Sequence, residues 1–145
     1  MDSRQSVLVT GALGTIGPRV VRELVRRGQP VVAFDQAVDP VIPFPEIRLA
    51  TIVRGDVRDD ALADRILRDH RVARIVHLAA IVGTTEPEPA LAIEVKALAT
   101  VRLLDSAAER GVWRVVALST KGVLGPLERR HVHPRYEPVP AGIVS

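Results

Sequence analysis

The chain has no cysteine. A disulfide framework, a thiol nucleophile and a zinc–thiolate centre are therefore excluded, and the expected setting is the reducing cytoplasm. Aromatic residues make up 3% of the 145 residues: two Phe, one Tyr and one Trp. Single-stranded nucleic acid is gripped largely by stacking bases on aromatic rings, so this scarcity weighs against such a partner even though the net charge is +3 and the pI about 10.1. The 20 Lys and Arg are interleaved with 17 Asp and Glu, and stretches such as Val20 to Arg27 read as solvated basic helix faces. No apolar run reaches the roughly 18 residues of a membrane span, and Met1 to Ser6 is not a charged segment leading into an apolar one. Neither a nucleic-acid partner, a membrane span nor a signal peptide is expected.

What is present is aliphatic. Hydrophobic residues are 47% of the chain, mostly Val, Leu, Ile and Ala, which suits strands buried on both faces beneath closely packed helices. Short apolar runs alternate with helix-period segments. Strands are expected at Ser6 to Thr10, Pro30 to Asp35, Arg48 to Arg54, Ala73 to Ala79 and Trp113 to Ser119. Helices are expected at Gly17 to Arg27, around Asp59 to His70, and along one stretch from Pro89 to Arg110, with Gly28 and Gly111 as stops. This alternation predicts right-handed βαβ units and an α/β fold with a parallel sheet covered on both faces. From Lys121 onward, Pro126, Pro134, Pro138 and Pro140 punctuate a segment with little periodicity. Residues 1–120 therefore read as one domain and 121–145 as a proline-containing loop or tail.

The segment Thr10 to Gly17 places Gly11, Gly14 and Gly17 after a strand and before a helix. A lone glycine triplet is a weak signal, but here each glycine has a distinct use: Gly11 for the tight turn, Gly14 for backbone approach to a pyrophosphate, and Gly17 for close packing of the helix whose N-terminus faces the anion. Leu13, Thr15 and Ile16 complete the loop, and Pro18 suits a first helical turn. Asp35 lies 18 residues after Gly17, at the end of the second strand, where a carboxylate accepts both ribose hydroxyls and repels a 2′-phosphate. The combination points to NAD in preference to NADP. A plain tight turn with an exposed acid is the alternative.

With these residues the chain resembles the extended short-chain dehydrogenase/reductase family, the NAD-dependent epimerase/dehydratase group. Its Thr-Gly-x-x-Gly-x-x-Gly pattern is matched by Thr10 through Gly17. Gly55-Asp56-Val57-Arg58-Asp59 is similar to the family segment in which an Asp side chain and the next backbone N–H contact adenine. His77-Leu78-Ala79-Ala80 is similar to the His-x-Ala-Ala segment lying along the cofactor, and Leu118 to Gly125 parallels Ser-Ser-x-x-Val-Tyr-Gly. The resemblance implies a Rossmann-type doubly wound parallel sheet, of which this chain holds the N-terminal half in the order 3-2-1-4-5. It also implies a nucleotide-sugar substrate and leaves room for a homodimer in a full-length form. Other readings stay open: Asp56 as a helix cap, His77 as a hydrogen-bonded strand-end histidine, and Thr84 and Thr85 as turn residues. His131 and His133 lack the partners of a metal site.

In that family a Ser or Thr holds the substrate oxygen, and Thr120 matches the position. A tyrosine then acts as acid or base, with a lysine four residues later lowering its pKa from about 10. Tyr136 is followed at that spacing by Pro140, so the pair is absent, and the chain reads as cut short before it. Leu124 replaces the family's Val-Tyr-Gly tyrosine, and Lys96 stands where the helix usually carries an active-site asparagine. The expected function is the NAD-binding portion of an epimerase/dehydratase-like oxidoreductase, inactive by itself. A non-catalytic dinucleotide-binding module and a nonfunctional remnant are the alternatives.

Overall fold

Val7, Leu8 and Val9 are all within 2% of complete burial, so the first strand has no solvent face. In a computed structural model describing residues 5–37, 42–81 and 89–118, this strand, β1 (Ser6–Thr10), is the centre of a five-stranded sheet. It is flanked by β2 (Val31–Asp35) and β4 (Val72–His77), with β3 (Thr51–Arg54) and β5 (Arg114–Ala117) at the edges. The order is 3-2-1-4-5, and every pairing is parallel. Strand direction is uniform because each connection crosses over through a helix or long turn.

Alternation along the inner strands divides the core between the two faces. Leu8, Val32, Phe34 and Ile75 meet Ala63, Ile66 and Leu67 of α2 (Asp60–Asp69) and Leu103 and Ala107 of the last helix. On the other face, Val7, Val9, Val31 and Ala33 pack with Val21 of α1 (Gly17–Arg26) and with Ile47. Surface ion pairs join neighbours on each side, Arg110 to Asp64 at 2.7 Å and Arg26 to Glu46 at 3.0 Å.

Several element boundaries depart from the sequence expectation, among them β5, which covers Arg114–Ala117 in place of Trp113 to Ser119. The anticipated strand Arg48 to Arg54 is divided: Pro45–Leu49 is a 3₁₀ turn and β3 begins at Thr51. Pro45 supplies the fixed φ of a first helical position, and the turn drives Ile47 into full burial beside α1. The long helix is three pieces, α3 (Pro89–Ile93), a π-helical turn (Glu94–Leu98) and α4 (Ala99–Glu109). β4 ends at His77 instead of Ala79: the Leu78 N–H still reaches the Thr10 carbonyl at 3.1 Å, but β1 stops at Thr10, where Gly11 turns the chain at φ +64°.

Candidate cofactor cleft

The sheet reverses its winding between β1 and β4, and in open α/β sheets ligands bind beyond the carboxyl ends of the strands at such a point. A cavity of about 350 Å³ lies there. Its walls come from the turn after β1, the ends of β2 and β3, the segment Leu78 to Ile81 after β4, and Leu91 and Val95 of the helix opposite.

The turn after β1 is shaped by two steric constraints. Gly11 has φ +64°, and an added Cβ would meet the Ala79 nitrogen at 2.8 Å; at Gly17 a Cβ would lie 2.2 Å from the Gly11 carbonyl oxygen. Both glycines are needed for the protein to touch itself. Gly14 differs, since a Cβ there would meet nothing closer than the Gly11 oxygen at 3.5 Å, an ordinary contact. Its open side faces the cavity. α1 begins at Gly17 with Ile16 before it giving no side-chain cap and with no acid in its first turn, leaving its N-terminal dipole aimed at the same space. By contrast, Asp59 caps α2 by accepting from Leu62 N at 3.0 Å. Asp59, not Asp56, thus fills the helix-cap role.

Asp35 closes the β2 side. Its Oδ2 accepts the Leu13 N–H at 2.8 Å and its Oδ1 the Ala37 N–H at 3.0 Å. A carboxylate has about four acceptor sites, so two stay available as far as the described residues go. Asp56 is more fully engaged: Oδ1 accepts the Arg58 N–H at 2.9 Å, and the Arg58 side chain reaches both oxygens, with Nη2 to Oδ2 at 2.7 Å. Hydrogen bonding from the Arg58 side chain holds the Asp56 carboxyl below its ordinary pKa. Arg58 also bonds Glu94 at 3.1 Å.

The profile of the NAD dependent epimerase/dehydratase family matches residues 7–142. The chain belongs to this family. Its relatives include UDP-glucose 4-epimerases from Rhizobium leguminosarum bv. trifolii, 32% identical over 88% of this chain and 40% of that protein, and from Klebsiella pneumoniae, 31% identical over 82% of this chain and 91% of the other. Among solved structures, the Thermus thermophilus UDP-glucose 4-epimerase complex with NAD superposes with a TM-score of 0.82 at 29% identity, over 94% of this chain and 45% of that one. The Thermotoga maritima UDP-glucose 4-epimerase with UDP-glucose gives 0.74 at 28% identity, over 82% and 39%. The chain thus spans less than half the length of these relatives, the Klebsiella pneumoniae protein excepted.

Of the residues singled out from the sequence, Gly11, Gly14, Thr15, Ile16, Gly17, Asp35, Asp56, Val57, Leu78, Ala79 and Ala80 all line the one cavity. Leu13 does not line it but orients Asp35. Thr120, Thr84, Thr85, Leu124, His131, His133 and Tyr136 lie outside the described residues. Lys96, at the family's asparagine position, is exposed and is not part of the cavity wall. Sequence reasoning did not single out Thr10, Phe34, Gln36, Gly55, Arg58, Ile81, Leu91, Val95 and Leu118 on the wall. Arg58 stood inside a recognised segment, whereas Leu91 and Val95 carried only the helical spacing shared by every packed helix. Among the described residues no His, Asp and Glu cluster could hold a metal, and no helix is long and apolar enough to cross a membrane.

Proposed function

We propose that the chain is the NAD-binding part of an epimerase/dehydratase-like oxidoreductase acting on a nucleotide sugar or a related hydroxy or keto compound. The observation that carries this reading is convergence: the glycine turn with the uncapped start of α1, Asp35, and the Leu78 to Ala80 segment, three stretches far apart in sequence, wall one cavity. Gly14, which no protein contact requires to be glycine, adds weight. In this reading the turn and the N-terminus of α1 hold the pyrophosphate, and Asp35 holds the adenosine ribose while its charge opposes a 2′-phosphate. Asp56 and Val57 meet adenine, Ala79 and Ala80 lie along the cofactor, and Thr120 holds the substrate oxygen.

NAD bound there would supply a hydride acceptor. The chain's own groups bind and orient it; the acid–base step belongs to a Tyr-x-x-x-Lys pair that this sequence does not contain. The chain alone is therefore expected to bind NAD and turn nothing over. That same missing pair favours, as a second reading, a non-catalytic dinucleotide-binding module. Calorimetric titration of the 145-residue chain with NAD and NADP tests the first reading. NAD should bind more tightly than NADP, and Asp35→Ala should weaken NAD binding and narrow the preference. Failure of the wild-type chain to bind NAD would end the reading, and NADH formation on addition of UDP-sugars would overturn the expected inactivity.

A further inference from the structure

His77 is a buried titratable group to which the cofactor reading assigns no task. It ends β4, is 6% exposed, and is bonded at both ring nitrogens: Nδ1 lies 2.7 Å from Thr10 Oγ1, and Nε2 lies 2.9 Å from Thr100 Oγ1. These neighbours determine where the protons sit. Thr10 Oγ1 already accepts the N–H groups of Leu78 and Ala79, each at 3.2 Å. With both lone pairs taken, its own hydrogen is left for His77 Nδ1, which must be bare. Nε2 then carries the ring hydrogen and donates to Thr100 Oγ1, whose hydrogen goes to the Lys96 carbonyl at 3.0 Å. A pair of N–H donors at one end and a carbonyl acceptor at the other force a single direction on the whole chain of bonds.

We propose that His77 is a positioning residue which, through Thr10 and Thr100, locks the Leu78–Ala79 floor of the cleft to the π turn that brings Val95 to its opposite wall. What the floor touches rests on the cofactor reading; the bond chain itself does not. The π turn is where such a lock is needed. Its carbonyls lack regular α-helical spacing, and a threonine bonded back to the carbonyl four residues earlier bends a helix and so sets its path. If the Thr100 hydroxyl is removed, the His77 Nε2–H loses its acceptor and the ring can relieve this by moving its hydrogen to Nδ1. That places a third donor on Thr10 Oγ1 and expels one of the two backbone N–H groups. Ala79 is the more sensitive of these, because Leu78 N–H keeps a second partner in the Thr10 carbonyl at 3.1 Å.

The test uses the full chain as wild type, Thr100→Val and Thr100→Ser, each with ligand-free NMR and an NAD titration. Thr100 is only half-buried, so the valine variant is expected to fold. In wild type the imidazole ¹⁵N pattern should be that of the Nε2–H tautomer. Thr100→Val should shift it towards Nδ1–H, speed Ala79 amide exchange about fivefold, the loss of roughly one hydrogen bond, and weaken NAD binding to a similar extent. Thr100→Ser should restore all three. An Nδ1–H tautomer in wild type, or unchanged Ala79 exchange in Thr100→Val, overturns the proposal. A wild-type chain that binds no NAD, while tautomer and exchange respond as stated, overturns the cofactor reading and upholds the lock.

Discussion

The three glycines of the turn, alike on paper, have different physical duties, and substitution separates them. A methyl group at Gly17 would sit 2.2 Å from backbone oxygen, and backbone cannot step aside as a side-chain tip can; Gly17→Ala should therefore cost about 2–3 kcal/mol of stability. Gly14→Ala adds a methyl group in ordinary contact and should leave stability within about 0.5 kcal/mol while weakening NAD binding. Urea unfolding paired with calorimetry checks both, and equal stability losses would contradict the assignment. His77 adds a pH effect. Burial pushes its pKa below the ordinary value of 6.5. As pH falls through about 6.5 the unfolded chain takes up this proton first, so the stabilisation is present above that pH and is lost progressively below it. Wild type should lose more stability than His77→Gln between about pH 7.5 and pH 5.5. The carboxyls of Asp56 and Asp64, lowered by their arginine partners, titrate further down and do not enter this window. The glycine turn and Asp35 were legible in the sequence because they form a local motif with its own spacing. The partners of His77 were not, since Thr10 and Thr100 lie 67 and 23 residues away and nothing in the intervening sequence links them.

The helices end by the same device with one exception. α1 and α4 are followed by Gly28 and Gly111 in the left-handed region, at φ +69° and +72°, while α2 is followed by Arg71 at φ +48°. A non-glycine residue there crowds its Cβ against backbone, and Arg71 is exposed. Arg71→Gly should accordingly stabilise the chain by about 0.5–1 kcal/mol, after allowance for the greater freedom glycine has when unfolded. A lowered thermal midpoint would refute this. The glycine stops could be read directly from the sequence, as could the cap region before α2, although choosing Asp59 over Asp56 as the cap needed the geometry. The 3₁₀ turn at Pro45–Leu49 was hidden because Arg48 to Arg54 carries an extended pattern, and the tertiary demand to bury Ile47 outweighed it. The π turn was hidden for a related reason, since one extra residue in a helical turn leaves the apolar spacing nearly intact.

On the scale of the whole molecule, burial runs from the centre of the sheet to its edges. β1 is fully buried, while β5 is mostly exposed, with Val116 at 54% and the neighbouring Trp113 and Leu118 at 54% and 62%. Among the described residues β5 is paired only with β4. An unpaired apolar edge is a template for another strand, so the chain should self-associate as its concentration rises, and Val116→Lys should reduce this. Sedimentation velocity over a concentration series measures it, and a wild-type monomer throughout would count against the expectation. The sequence by itself determined the α/β class, the glycine turn, the acid at the end of β2 and the family resemblance, because apolar period and short motifs are properties of neighbouring residues; the strand order followed only from that resemblance. Only the tertiary structure decided that these pieces meet in one cavity, that Arg58 occupies Asp56, that Leu91 and Val95 form the far wall and that His77 joins β1 to α4. Those contacts close loops of tens of residues, and their geometry is set by how helices pack on the sheet and not by any local pattern.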